Sequence, residues 1–182
     1  MNQNMGTGNV KKLLAQLAIP AIIAQIINLL YNVVDRIYIG HIPEVGASAL
    51  TGVGLFMPIL MLINAFAMLA GSGGAPRAAI AMGQKDNDTA EKIVGNCFSL
   101  ILGFAVVLTV VFFVSAPTLL TLFGASDVTL PYAVDYARIY ILGSVFVLVV
   151  MGMNPFITTQ GFARVSMLTT IIGAVINIIL DP

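Results

Sequence analysis

The sequence predicts an all-α, polytopic bundle of transmembrane helices, and three observations carry that prediction. Apolar residues make up 59% of the 182 and charged residues only 9%, against roughly 45–50% and about 25% in soluble domains. Eight basic and eight acidic side chains cannot cover a water-facing surface of this size. Five stretches are long enough to cross a hydrocarbon core about 30 Å thick, which takes about 20 residues at 1.5 Å each. Lipid admits only helices or closed barrels, and barrel strands would be about 10 residues of alternating polarity. The runs here are longer and continuously apolar.

Taken in order, residues 1–12 form a polar leading segment that ends in Lys11 and Lys12. Span one, 13–40, exceeds the about 7–15 apolar residues of a signal peptide. It therefore reads as a retained helix, although Ala47-Ser48-Ala49 mimics a cleavage site. A short loop, 41–46, leads to span two at 47–71. Gly83-Gln84-Lys85-Asp86-Asn87-Asp88 is a polar connection, with Asp88 or Thr89 as the N-cap of span three, 93–120. Gly124-Ala125-Ser126-Asp127 precedes span four, 133–153, and Asn154-Pro155 with Gly161 breaks the chain before span five, 165–180. Gly71-Ser72-Gly73-Gly74 lacks the spacing of a phosphate-binding loop and follows no strand, so it is assigned to helix bending or close packing.

Basic residues set the orientation. Lys11 and Lys12 precede span one, Arg77, Lys85 and Lys92 lie between spans two and three, and Arg164 lies between four and five. The loops after spans one and three hold no Lys or Arg. The positive-inside rule then places the N-terminus in the cytoplasm of a plasma-membrane protein.

Several function classes are excluded. The formal net charge is zero and no basic run is present, so no nucleic-acid partner is expected. Cys97 is the only cysteine and His41 the only histidine of these 182 residues, so no disulfide within them and no Cys/His metal cluster is expected. There is no serine–histidine–acid set, HExxH or nucleotide fingerprint, so the chain is expected to be neither an enzyme nor a cofactor binder. Energy for transport must come from an ion gradient or another chain.

The polar residues inside the spans are the informative ones, because an ionisable group there costs at least a few kcal/mol and normally faces protein or a watery cavity. Gln25, Asn28, Asn32 and Asp35 are spaced to share one helix face, with Tyr31 one turn before Asp35. Ile22, Ile26, Leu30, Val33 and Ile37 lie largely opposite. Either the stripe lines a cavity or Asp35 is paired with Arg138. On span five, Thr170, Asn177 and Asp181 share a face. Asp35 lies about 33 Å along the helix from Leu13 and Asp181 about 24 Å from Val165, both in the outer half of the bilayer. The two carboxylates and the Asn177 carboxamide could ligate Na⁺ through oxygen, or the carboxylates could share a proton; alternatively Asp181 ends its helix in water. Met57, Met61, Asn64 and Met68 form a stripe on span two that suits either ordinary packing or a hydrophobic ligand. Tyr132, Tyr136 and Tyr140 read as an interfacial belt, and Asp135 with Arg138 as a local pair.

The chain resembles the N-terminal half of the MATE (multidrug and toxic compound extrusion) transporters, from about Lys12 to Pro182. The resemblance rests on Leu17-Ala18-Ile19-Pro20, on Tyr31-Asn32-Val33-Val34-Asp35-Arg36-Ile37-Tyr38-Ile39-Gly40, and on Gly71-Ser72-Gly73-Gly74 with Met82-Gly83. Asn154-Pro155-Phe156, Gln160-Gly161 and Asn177-Ile178-Ile179-Leu180-Asp181-Pro182 complete it in order. It implies about twelve helices in two six-helix lobes, of which residues 13–182 supply a partial N-lobe, with the C-lobe as partner. It also implies alternating access and antiport of Na⁺ or H⁺ against small organic, often cationic and amphipathic compounds. The coupling site carries over onto Asp35, Asn177 and Asp181, with Tyr31 as a hydrogen-bonding neighbour; Asn32, Asn28 and Gln25 extend the lining. An arginine that many members carry near Thr158 is absent. Two other readings stand beside this one. A lipid-linked oligosaccharide flippase of the same superfamily would need several cavity cations, and the spans offer mainly Arg36 and Arg138. The other is an inert truncated membrane fragment.

Overall fold

The computed structural model describes residues 10–180, with every side chain among them except those of Lys12, Asn177, Ile178 and Leu180. Five helices follow one another: α1 Val10–Gly40, α2 Gly46–Gly83, α3 Asn87–Leu122, α4 Leu130–Thr159 and α5 Ala163–Leu180. Four of them, α1 to α4, are long and apolar enough to cross a membrane, and α5 carries a shorter apolar stretch, Ala163–Ile176. No strand occurs among the described residues.

The helices divide into two groups. α2, α3 and α4 pack against one another, while α1 pairs chiefly with α5. The three-helix core is built from Phe56, Ile59, Ile63, Ile101, Ile141 and Leu148, with Ala67, Ala105, Ala116, Ala133 and Ala137 between them. So many alanines suit a membrane bundle, where lipid is as apolar as the core and close backbone approach supplies the attraction. Ser144, buried among these residues, satisfies its hydroxyl on the Ile141 carbonyl at 2.7 Å.

Two expected breaks do not occur. Span two was expected to end at Gly71, yet α2 runs on through Gly71-Ser72-Gly73-Gly74 and Pro76 to Gly83. The glycines serve tertiary contact. A Cβ on Gly71 would lie 2.7 Å from the Gly152 carbonyl oxygen of α4, and one on Gly74 would strike Cys97 and Phe156. Close packing, one of the two roles expected for this run, is the one the structure shows. Span four likewise continues past Asn154-Pro155 to Thr159. Proline costs a helix the hydrogen bond to the carbonyl four residues back, here that of Met151, and packing against α2 and α3 keeps α4 continuous across it. The chain turns at Gly161 instead, in the left-handed conformation with φ 88°.

The α2–α3 connection is tighter than expected, and α3 starts at Asn87 rather than 93. Neither Asp88 nor Thr89 caps it: Asp86 does, accepting the Thr89 amide at 3.0 Å. The turn is made by Lys85 at φ 62°. Hydrogen bonds from Thr89 hold the Asp86 carboxyl below its ordinary value of 3.8. A lowered folded pKa means the cap stabilises the helix start above about pH 4 and lets go as pH falls through the depressed value. The protection factors of the Thr89 and Ala90 amides, taken against the intrinsic exchange rate at each pH, are therefore expected to fall on acidification, and Asp86→Ala to show the low protection at neutral pH as well. Equal exchange in the variant and the parent would refute the cap's role.

Candidate functional site

The polar stripe on α1 is real as a surface. Asn32 Nδ2 donates to the Asn28 carbonyl at 2.7 Å and lies 3.3 Å from Asn28 Oδ1, which stacks the two carboxamides one turn apart. Asn28, Tyr31 and Asp35 are half-buried, while Gln25 and Asn32 are exposed. The side of α1 carrying Ile22, Ile26, Leu30, Val33 and Ile37 is exposed and aliphatic.

Two tyrosines of α4 come within electrostatic reach of α1. Tyr136 lies within electrostatic reach of Asp35, Arg36 and Tyr31, and Tyr140 within reach of Tyr31. The two rings stack on each other, centroids 6.1 Å apart at 29°. Both present edges to Phe56 of α2, at 5.5 and 5.3 Å. Such aromatic pairs are worth about 0.5–1.5 kcal/mol each beyond their buried area, so this cluster is a fixed wall. The belt reading of Tyr136 and Tyr140 is thus corrected. The signal was present in sequence, because Tyr136, Tyr140 and the buried Ser144 continue one helix face into the core.

Arg36 turns to α2, where a guanidinium nitrogen lies 3.8 Å from the Met57 sulfur. Arg138 lies on the face of α4 away from Tyr136 and sets its guanidinium 5.7 Å from the centroid of Phe113. That contact replaces the expected local pair with Asp135 and points Arg138 away from the α1 stripe.

The methionine stripe is not core packing within this chain. Met61 is 69% exposed and Met68 46% exposed, whereas α2 packs inward through Phe56, Ile59, Ile63 and Ala67. Met68 does receive the Ser72 hydroxyl at 4.0 Å. The Asn64 Oδ1 atom is buried without a hydrogen-bond partner, as is Thr109 Oγ1 on α3. Among the described residues, Asn64 is therefore the polar group on this stripe with an unmet acceptor.

The remaining members of the expected coupling site fall outside the described residues: Asp181 wholly, and Asn177 in its side chain. The structure does bring α5, the helix that carries Asn177, alongside α1. Among the described residues no three His, Cys, Asp or Glu side chains come together.

Comparison with known proteins fits this architecture. The sequence profile of the MatE family matches residues 20–182. The chain belongs to the MatE family. The multidrug export protein MepA of Staphylococcus haemolyticus is 27% identical to this MatE chain over 177 residues, 96% of the chain and 38% of that protein. The probable multidrug resistance protein YoeA of Bacillus subtilis is 23% identical over 182 residues, 100% of the chain and 39% of that protein. Among solved structures, the MATE multidrug transporter DinF-BH in complex with R6G superposes with a TM-score of 0.86 at 37% identity, covering 100% of this chain and 41% of that one. A MATE in complex with MaD3S superposes with a TM-score of 0.88 at 29% identity, covering 96% and 39%. This MatE chain thus spans about two-fifths of the length of the relatives it matches.

Proposed function

We propose that this MatE chain is part of the leading lobe of a secondary active antiporter that exports organic, amphipathic cations across the plasma membrane in exchange for Na⁺ or H⁺, with its N-terminus in the cytoplasm. The observation that carries the proposal is Asp35, a half-buried carboxylate on a membrane-length helix, within electrostatic reach of Tyr136, whose ring stacks on Tyr140. An ionisable residue at such a depth is costly and marks an ion or substrate path. Aromatic faces attract cations through their quadrupole, and the exposed, polarisable Met61 and Met68 with half-buried Met57 offer an adaptable apolar surface. The coupling group is Asp35 with Asn177 and Asp181, with Tyr31, Asn28, Asn32 and Gln25 as its lining. Its oxygen-rich composition suits a hard cation and equally a shared proton.

Exchange requires that ion and drug favour different states of the protein, because a ligand with equal affinity for two states shifts neither. Neutralising Asp35 by proton or Na⁺ removes the charge that an organic cation would seek, so the two compete for one carboxylate.

The test is transport by the complete protein in proteoliposomes loaded with a fluorescent lipophilic cation. Movement of the dye is expected to accelerate when an opposing Na⁺ gradient or an opposing pH gradient is imposed. Dye movement indifferent to both gradients would overturn the antiport reading.

A further inference from the structure

A crevice of about 340 Å³ opens between α2 and α3, and α3 packs chiefly on α2 and α4 rather than on α1. Leu69, Ile93 and Leu100 form its apolar walls and Gly73 opens its floor, where an added Cβ would meet nothing within 4 Å. Its polar groups are Arg77, Asn96 and the weakly polar Cys97 thiol, and no acidic side chain lines it. Arg77 and Asn96 are both exposed, as is Lys92 one turn before Asn96 on α3.

Depth tells what such a crevice meets. α2 has 38 residues, about 57 Å, and overhangs an about 30 Å hydrocarbon core by roughly 13 Å at each end. Arg77 stands six residues before Gly83, about 9 Å from the helix end, and so falls at headgroup level. Leu69 and Gly73 lie deeper along α2, at acyl-chain level. The same end of the bundle gathers Lys11, Lys85 and Arg164. Glu91 sits about 140° around α3 from Asn96 and faces elsewhere.

We propose that this crevice binds one anionic phospholipid, its phosphate on Arg77 and Asn96 and the start of one acyl chain over Gly73 between Leu69 and Leu100. A guanidinium presents paired donors that match phosphate oxygens, and basic pockets between membrane helices are suited to anionic headgroups. A zwitterionic lipid would bring its own cation to the same place and lose the charge match. The site is separate from Asp35 and does not depend on the transport reading.

The complete protein, purified in detergent with equal amounts of phosphatidylglycerol and phosphatidylcholine, would be examined by native mass spectrometry. The parent is expected to retain phosphatidylglycerol about fivefold over phosphatidylcholine, the size of one basic residue's attraction for an anionic membrane surface. Arg77→Gln is expected to bring the ratio to parity. Gly73→Leu, which fills the open floor without touching charge, is expected to do the same while melting like the parent. Absence of a preference in the parent, as when another part of the protein covers the crevice, overturns the proposal; so does a preference that persists in either variant.

Discussion

Asp35→Asn is expected to abolish drug resistance conferred by the complete protein while its level in the membrane stays at the parental value. The substitution keeps size and shape and removes only the ability to carry charge. Asp35 sits half-buried on α1, within electrostatic reach of Tyr136, where an ionised group is costly enough to be kept only for work. A carboxamide cannot release a proton and is a poorer Na⁺ ligand than a carboxylate, so the variant loses the switch between its two charge states. Coupling free energies between sites run to about 1–3 kcal/mol, a change of about 5–150-fold in affinity, and all of it disappears with the charge. The protein should still bind apolar dye through the Tyr136–Tyr140 wall and the Met57–Met61 stripe, but without response to an ion gradient. Asn32→Ala, at an exposed neighbour on the same face, should retain most of the resistance. Growth of the Asp35→Asn strain at the parental drug concentration would remove Asp35 from the mechanism.

The parts of this molecule that were legible in its sequence are those governed by a single local rule. The stripe from Gln25 to Asp35 follows from helical period alone, and the Asn28–Asn32 hydrogen bonds show two of its members stacked one turn apart. The helix ends were less legible because two effects compete there. Gly71 and Pro155 are breakers on local propensity, but α2 and α4 cross so closely at Gly71 and Gly152 that packing keeps both helices continuous. Tyrosines spaced one turn apart suit a membrane interface and inward packing equally well, and only the placement of Phe56 decides that Tyr136 and Tyr140 pack inward. The methionines were ambiguous for the same reason, since an apolar side chain does not announce whether its neighbour is in this chain.

That crossing carries the second large expected effect. Gly71→Val is expected to cost the folded bundle about 1–3 kcal/mol or more, the usual range for overpacking a close-packed core. Its Cβ would stand 2.7 Å from the Gly152 carbonyl oxygen and 3.1 Å from Pro155 Cγ. Neither neighbour can yield: one is helix backbone, and the other is a ring fixed in it. Relief therefore requires α2 and α4 to separate, which pulls Phe56 off Tyr136 and Tyr140, the pair within electrostatic reach of α1. The damage should thus reach transport as well as stability. Gly73→Ala is the matched comparison two residues away, because its Cβ meets open space and alanine favours a helix over glycine by about 1 kcal/mol. Heating both variants in detergent and following the monodisperse fraction should show Gly71→Val aggregating well below the parent, with Gly73→Ala at or above it. Coincident curves for Gly71→Val and the parent would mean that α2 and α4 do not meet at these glycines, and the frame that positions the tyrosines would have to be sought elsewhere.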